Sequence, residues 1–204
     1  MIKSLPRASA GRAPTAIGDL PIVSGSRGLD LVNTIVSFGR PGARDSLTGP
    51  AALRAWAVRV GFDLPPGLPS EDEKAFVRAR NLREAIGGTA DALTRGKPPS
   101  AAALATLSDE ATRAMTRRRL TSGPAGLAWQ WTGHGLERLL DEIALESAEL
   151  LTGPGLPAVR RCLAADCSWF FLDRSRNHSR RWCAMGDCGN RAKARRRRAR
   201  DHRG

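Results

Sequence analysis

The chain has 204 residues, and its 33 Lys and Arg against 20 Asp and Glu give a formal net charge of +13 at pH 7. At roughly 100–200 residues per domain, this length allows one domain or one domain with a small module. The hydrophobic fraction of 41% and the charged fraction of 26% exclude an intrinsically disordered chain as a whole. No apolar run approaches the roughly 18–20 residues of a membrane span, and the first residues lack the apolar stretch of a secretory signal, so we expect a cytoplasmic protein.

Four stretches with apolar residues every three or four positions predict helices in the first half of the chain. Residues 1–18, which show no such period, are interpreted as a mobile N-terminal segment. The helix start signals are Ser26, Thr48-Gly49-Pro50, an S-x-x-E capping box at Ser70 and Glu73, and Pro98-Pro99-Ser100. The first helix is expected to run on through Ile35 and Val36, and the glycine pair at 87–88 is a weak point in the third.

The hydrophobic period changes to two near residue 127, where Leu127, Trp129 and Trp131 alternate with Ala128 and Gln130. With the preceding SGPAG turn, this pattern predicts a β-hairpin whose first strand lies near residues 119–121. An amphipathic helix from Leu136 to Leu151 follows and ends at the glycine- and proline-rich residues 152–155. Trp129 and Trp131, together with Trp56 of the second helix, are expected in the core.

These patterns predict a mainly α fold with a small β-hairpin in an N-terminal domain of residues 19–152. A linker at 153–157 then leads to a separate basic module at 158–204, which holds all four cysteines. From residue 157 onward the chain has 14 Lys and Arg against 4 Asp, so most of the excess positive charge lies in this module.

The cysteines follow the spacing C-x4-C, fifteen residues, C-x4-C, which is typical of a structural zinc site. They are Cys162, Cys167, Cys183 and Cys188. Disulfides are the alternative, and a cytoplasmic compartment disfavours them. We therefore predict one structural Zn²⁺ as the cofactor.

The residues between the cysteine pairs predict how the module folds. SWFFLD indicates a strand, RSRNHS a turn and RRWC a returning strand, and a helix rich in Ala and Arg is expected to begin near Asp187. A knuckle, a hairpin and a basic helix together describe a treble-clef-like zinc finger. In this arrangement Gly189 lets the backbone approach a sulfur, Asn190 bonds back to the loop, and the free N–H groups of the helix stabilise the thiolates.

The segment from Arg161 onward closely resembles the CGNR zinc finger, which is named after the tetrad present here as residues 188–191. The tetrad, the cysteine spacing and the FLDRSRN sequence all agree with that family. Its members usually carry an N-terminal ABATE domain, and LDLVNT at 29–34 and LREAI at 82–86 are similar to it. The resemblance implies a bacterial, stress-responsive transcription regulator with a zinc-dependent DNA-binding finger, in which the four cysteines are the ligands.

Basic side chains of the module are predicted to bind nucleic acid, most simply double-stranded DNA at the nucleoid. They are Arg174, Arg176, Arg180, Arg181, Arg191, Lys193, Arg195, Arg196, Arg197, Arg198 and Arg200. Aromatic residues of the module either form its small core or stack on unpaired RNA bases. They are Trp169, Phe170, Phe171 and Trp182. Three further functions compete with nucleic-acid binding: a protein-interaction module, a thiol redox sensor, and a basic tail that is merely solvated.

Polar residues inside the apolar helices of the N-terminal domain either pair with one another or line a pocket for a small effector. They are Asp30, Asn33, Thr34 and Arg83. The N-terminal domain is therefore expected to sense a ligand or to mediate assembly. No catalytic residue is predicted, because the three histidines are scattered and His178 has only Asp173 and Asn177 near it in the sequence.

Overall fold

The computed structural model describes residues 16–36, 38–39, 42–67, 69–124 and 126–201. It is 54% helical with small antiparallel strand pairs, so the predicted fold class is confirmed. The helices are α1 (Arg27–Val32), α2 (Pro50–Arg59), α3 (Pro69–Thr94), α4 (Ala101–Thr116), α5 (Gly135–Thr152) and α6 (Asn190–Asp201). The strands are β1 (Ile35–Val36), β2 (Arg44–Asp45), β3 (Arg118–Gly123), β4 (Gly126–Trp131), β5 (Val159–Arg161) and β6 (Phe170–Leu172).

Most residues of the predicted mobile segment lie outside the described part of the chain. Its last residues are described, and Ile17–Asp19 form a short 3-10 helix.

Helix α1 is shorter than the sequence predicts. It ends at Val32, and Ile35 and Val36 instead form strand β1, which pairs with β2. The hydroxyl of Thr34 donates to the carbonyl of Leu31 at 2.7 Å and so helps to close the helix. The prediction of a helix through residue 36 was wrong, because two β-branched residues after this turn suit a strand.

Helix α3 runs unbroken for 26 residues through its glycine pair. Gly87 is instead the place where Phe38 packs, since a Cβ there would lie 2.5 Å from the Phe38 ring. The helix begins at Pro69, so Ser70 lies in its first turn and the capping box predicted there was misplaced. At the start of α4 the prediction holds, because the Ser100 hydroxyl accepts the N–H of Ala103 at 3.2 Å.

The core of the helical domain is formed by the apolar faces of helices α1 to α5, with α4 contributing Leu107. Its largest fully buried side chains include Trp56, Leu82, Leu139 and Leu140. Helix α5 has the bounds that its period predicts, and Gly153 ends it.

The β3–β4 hairpin has the predicted strands, with Leu120 opposite Trp129 and Ser122 opposite Leu127. Its apolar side chains, however, are not in the core: Trp129 is 55% exposed and Leu127 is 76% exposed. Of the three tryptophans expected in the core, only Trp56 is fully buried there. Alternation predicts a strand with one apolar face, but it does not determine what covers that face.

The strand pair of the C-terminal module also differs from the prediction. Strand β6 pairs with β5, which precedes the first cysteine, and the expected returning strand at 180–183 is an irregular segment. The loop between β5 and β6 is closed by a hydrogen bond from the Cys162 N–H to the carbonyl of Trp169. The first cysteine pair therefore lies inside the hairpin rather than before it.

Hydrogen bonds and shared packing connect the helical domain to the C-terminal module. The Asn33 side chain donates to the carbonyl of Phe170 at 2.9 Å and accepts its N–H at 2.8 Å. The N–H of Leu172 donates to the carbonyl of Ser24 at 2.7 Å. Phe170 and Leu172 belong to the helical core, while Leu20 packs with the cysteines. The domain boundary stays a prediction, and the structure adds that the two parts share apolar packing.

Candidate zinc centre and basic helix

The four cysteine sulfurs converge on one point. Their Sγ atoms all lie within 4.8 Å of one another, and every one of the four residues is buried and free of a disulfide. Cys183 Sγ lies 3.7 Å from Cys167 Sγ and 3.5 Å from Cys188 Sγ. A tetrahedron with Zn–S bonds of about 2.3 Å places its sulfurs about 3.8 Å apart. The donor set therefore fits one structural Zn²⁺, as the cysteine spacing predicts.

The four buried thiols cannot all ionise together unless a positive charge compensates them. Hydrogen bonds from the other three thiols, chiefly Cys167, lower the pKa of Cys162. Hydrogen bonding to the same Cys162 sulfur raises the pKa of Cys183 and of Cys188, since further negative charges would lie beside the first. A divalent ion offsets that repulsion, and when bound it links both cysteine pairs into one unit.

Cys188 lies in a single π-helical turn, Met185–Gly189, which leads directly into α6, and Cys183 lies two residues before that turn. A Cβ at Gly189 would overlap the sulfur of Met185 and lie 3.2 Å from Trp182 Cδ1, so a larger residue there would displace the Met185 side chain. The expected close approach is thus to Met185 rather than to a cysteine. Asn190 donates to the carbonyl of Gly186 at 3.0 Å, in agreement with the predicted bond to the loop.

One side of α6 is attached to the cysteine loops. The Arg191 guanidinium donates to Cys188 Sγ at 3.2 Å and lies 3.3 Å from the carboxylate of Asp166. Arg195 pairs with the same carboxylate at 2.8 Å, and Arg191 also pairs with Asp187. Burial raises the pKa of Asp166, but the hydrogen bond from Arg195 and the charge of Arg191 outweigh it, so the pKa is lowered. These contacts hold the helix against the first cysteine loop.

The other side of α6 is a basic face. Its members follow the spacing i, i+3, i+4, i+7, so they share one side of the helix. They are Lys193, Arg196, Arg197 and Arg200. All four are exposed, and none forms an ion pair with a described residue. We call this set the outward face. Arg198 is exposed as well, on the side of Arg191 and Arg195.

The predicted arginines of the loop before Cys183 divide into two groups. Arg174 and Arg176 are exposed, as is Arg181, whose guanidinium lies 5.6 Å from the Trp182 ring. Arg180, in contrast, lies 4.4 Å from the Phe171 ring and donates to the carbonyl of Trp182 at 3.0 Å. The structure therefore gives Arg180, like Arg191 and Arg195, partners within the protein.

The aromatic residues of the module form its core. Phe170 and Phe171 are fully buried, Trp169 is nearly so, and Trp182 is half-buried. Trp169 and Phe171 pack with the cysteines. The stacking of RNA bases on these three buried rings is therefore excluded, because their faces are covered by protein.

The four polar residues of the predicted effector pocket have partners within the protein. Arg83 donates to the Thr34 hydroxyl at 3.0 Å and to both carboxylate oxygens of Asp45 at 2.7 Å. Asn33 binds the backbone of Phe170, and Asp30 accepts the N–H of Ser24 at 3.0 Å. Thr34 and Arg83 therefore bind each other, whereas Asn33 and Asp30 bind backbone groups away from them.

Burial raises the pKa of Asp30, although its hydrogen bonds with Ser24 oppose the shift. Effector binding at this set of four residues stays a prediction.

Sequence reasoning missed two carboxylates that organise these regions, Asp45 and Asp166. Each pairs with an arginine distant in sequence. By its local sequence, each is an ordinary solvated acidic residue, so no local signal identifies the arginine that it binds. A cavity of about 500 Å³, lined by charged residues of α3, α4 and α5, was also not predicted.

None of the helices that the structure describes is both long enough and apolar enough to cross a membrane. Comparison with protein families gives two matches. Residues 25–154 match the ABATE family, described as "Putative stress-induced transcription regulator", and residues 158–201 match the CGNR zinc finger. Among curated proteins, none gives a significant match. Because the first match covers more than half of the chain, the protein belongs to the ABATE family, and it carries a CGNR zinc finger with four cysteine ligands.

Proposed function

We propose that the protein is a zinc-dependent regulator that binds double-stranded DNA through the outward face of α6. The observation that carries the proposal is the division of charge on this helix. Arg191 and Arg195 bind Asp166, whereas the four residues of the outward face are exposed to solvent. Cations aligned on one exposed side of a helix are suited to the phosphates of a duplex.

The zinc centre supports this role by fixing where the helix begins. Cys188 lies in the π-helical turn that leads into α6. Asp166, which pairs with Arg191 and Arg195 of this helix, is adjacent to Cys167 in the chain. Metal binding therefore sets the direction of the basic helix relative to the finger. Without the metal, the like charges on α6 oppose helix formation, since pairs at i, i+4 such as Lys193 and Arg197 repel each other.

Arg174 and Arg176 extend the proposed contact surface from the loop of the finger. Both are exposed, and the one described polar contact of Arg174 is a long bond of 3.4 Å to the carbonyl of Gly25. With the outward face they provide six cations for phosphate contacts. Binding of this kind would place the protein at the nucleoid of the cytoplasm.

The salt dependence of duplex binding tests the proposal. Six phosphate contacts give a slope of log affinity against log salt of roughly −5, from about −0.9 per neutralised phosphate. We expect the double variant Arg196→Ala/Arg197→Ala to make the slope shallower by about 2. The matched control is Arg80→Ala/Lys97→Ala, which removes two exposed cations of the helical domain and should leave the slope unchanged.

Fluorescence anisotropy with a labelled duplex of mixed sequence measures these slopes, and a chelator should abolish binding. A slope near zero, or equal slopes for the two double variants, would contradict the proposal. Competition with single-stranded RNA distinguishes the nucleic acids: preference for RNA would favour an RNA-binding module instead.

We also propose that the protein is not an enzyme. The carboxylate nearest to His178 in the sequence, that of Asp173, accepts hydrogen bonds from the N–H groups of Ser175 and Arg180. It is therefore engaged in shaping the loop. Magnesium-dependent cleavage of duplex DNA by the purified protein would contradict this view.

A further inference from the structure

The β3–β4 hairpin has one apolar face that is exposed to solvent. Leu120 is 56% exposed, Leu127 is 76% exposed and Trp129 is 55% exposed, and all three lie on the same face. The Arg118 guanidinium lies 4.4 Å from the Trp129 ring and 5.3 Å from the Trp131 ring. A two-stranded ribbon is marginally stable alone, and it gains stability when further strands extend it.

The outer edge of β4 is available for pairing. The N–H of Thr132 donates to the carbonyl of Arg117, so these two residues form a hydrogen-bonded pair. Hydrogen-bonded and non-hydrogen-bonded pairs alternate along an antiparallel ladder, so this bond determines which residues of β4 bond to β3. With the observed register, the backbone groups of Leu127, Trp129 and Trp131 point away from β3. Residues 126–130 are exposed along this edge.

The two edges of the hairpin differ in charge. Strand β4 contains no charged residue and no proline, so it lacks the features that usually protect an edge strand. On the β3 side, Arg118 and Arg119 follow Arg117 directly. Pairing two copies through β3 would place these arginines on adjacent strands about 4.8 Å apart.

From these observations we infer that two copies of this chain associate through antiparallel pairing of their β4 strands. The result is a four-stranded sheet with β3 of each copy at its outer edges. The two β3 strands are then separated by three strand spacings, about 14 Å. That distance exceeds the Debye length of about 8 Å at physiological salt, so the arginines of the two copies are screened from each other.

A two-fold axis at Trp129 gives hydrogen-bond partners to the largest number of backbone groups on this edge. Trp129 then faces Trp129 of the second copy, and Leu127 faces Trp131 of the second copy. Every outward-pointing N–H and C=O of these three residues gains a partner, because each such pair exchanges both of its hydrogen bonds. Moving the axis to Ala128 would leave Trp131 unpaired. The apolar side chains of both copies lie next to one another on the same face of the sheet, where cross-strand pairs stabilise it.

Introducing opposite charges at residue 129 in two separate variants tests the inference. The experiment needs no nucleic acid, so its result does not depend on the proposed function. Analytical ultracentrifugation should show a concentration-dependent dimer of the full chain loaded with zinc. Trp129→Lys and Trp129→Glu, measured separately, should each weaken the dimer by at least about tenfold, because like charges then face each other across the axis. An equimolar mixture of the two variants should restore a heterodimer.

The controls are Gln130→Lys and Gln130→Glu, which place the same charges on the same strand but on the opposite, polar face. They should leave the dimer unchanged, alone and in mixture. Circular dichroism and zinc content check that all variants are folded. A monomer at every accessible concentration, a dimer that Trp129→Lys does not weaken, or a mixture that stays monomeric would each overturn the inference. A loss of duplex affinity in the Trp129 variants with no change in mass would overturn it too, and would assign the face to nucleic acid.

Discussion

The helical core and the cysteine cluster are stabilised by different interactions. The helical core buries large apolar side chains from five helices, among them Trp56, Leu82 and Leu139. The cluster buries the four cysteines with a few aromatic residues, and it includes Leu20 and Val36 from the N-terminal part of the chain. Apolar burial alone can stabilise the first, because its helices supply enough apolar surface. The second has too few apolar side chains and depends on its metal and on neighbouring residues.

Removing zinc should have the largest effect and should separate the two regions. We expect chelation, or Cys188→Ala, to cost most of the stability of the finger, since structural zinc contributes about 10 kcal/mol or more to domains of this type. The helical signal in circular dichroism should fall by little more than the contribution of α6, while the finger becomes sensitive to protease.

Leu139→Ala is the control for that experiment. It should lower the free energy of unfolding by about 2–5 kcal/mol through a cavity in the helical core, and it should leave the zinc content unchanged. If chelation left the protease sensitivity of residues 158–201 unaltered, the distinction between the two regions would be wrong.

Removing the connection between the regions should have an intermediate effect. In Asn33→Ala, the buried N–H and C=O of Phe170 both lose their partner, so we expect a loss of about 2–3 kcal/mol in chemical denaturation. The matched control is Asn190→Ala, an exposed residue with one bond to the carbonyl of Gly186, where less than about 1 kcal/mol should be lost. Equal losses in the two variants would mean that the connection adds nothing.

The smallest effect should come from Asp30, whose carboxylate holds the backbone at Val23 and Ser24 against the helical domain. Burial raises its pKa above the ordinary 3.8, so the native state binds the proton more tightly than the unfolded state. The stability from this proton is present below pH 3.8 and is lost as pH rises through the native pKa. Asp30→Asn keeps an acceptor oxygen but removes the titration.

We therefore expect Asp30→Asn to equal or exceed the native protein in stability at neutral pH, and to lose that advantage as the solution is acidified. The gain should amount to about 1.4 kcal/mol per unit of pKa shift, measured by urea denaturation across pH. Asp173→Asn should show the opposite trend, because a hydrogen bond from Ser175 lowers the pKa of Asp173. Parallel pH profiles for the two variants would contradict the assignment.

The parts of the structure that local chemistry determines were predictable from the sequence. Ser100 caps α4, Gly153 ends α5, and the cysteine spacing predicts the metal centre, because each signal acts within a few residues. The end of α1 was predicted wrongly, since the strand at Ile35 forms only when β2 is there to pair with it.

The less predictable features depend on partners distant in sequence. Nothing near Asn33 indicates that it binds Phe170, 137 residues away. The partner strand of β6 was also misassigned, because a returning strand after a turn is the local expectation while β5 is the one that packs on α3. On α6, the sequence indicates a basic helix, but the division between attached and outward arginines depends on the position of Asp166.

The bond between Asn33 and Phe170 has a practical consequence for protein engineering. A chimera that transplants residues 158–201 alone onto a foreign scaffold would carry a strand with an unmatched amide and carbonyl, and it would lack the Leu20 and Val36 side chains that pack with its cysteines. The smallest portable unit is therefore discontinuous: a graft needs residues 20–36 together with the finger, joined by a short designed connection.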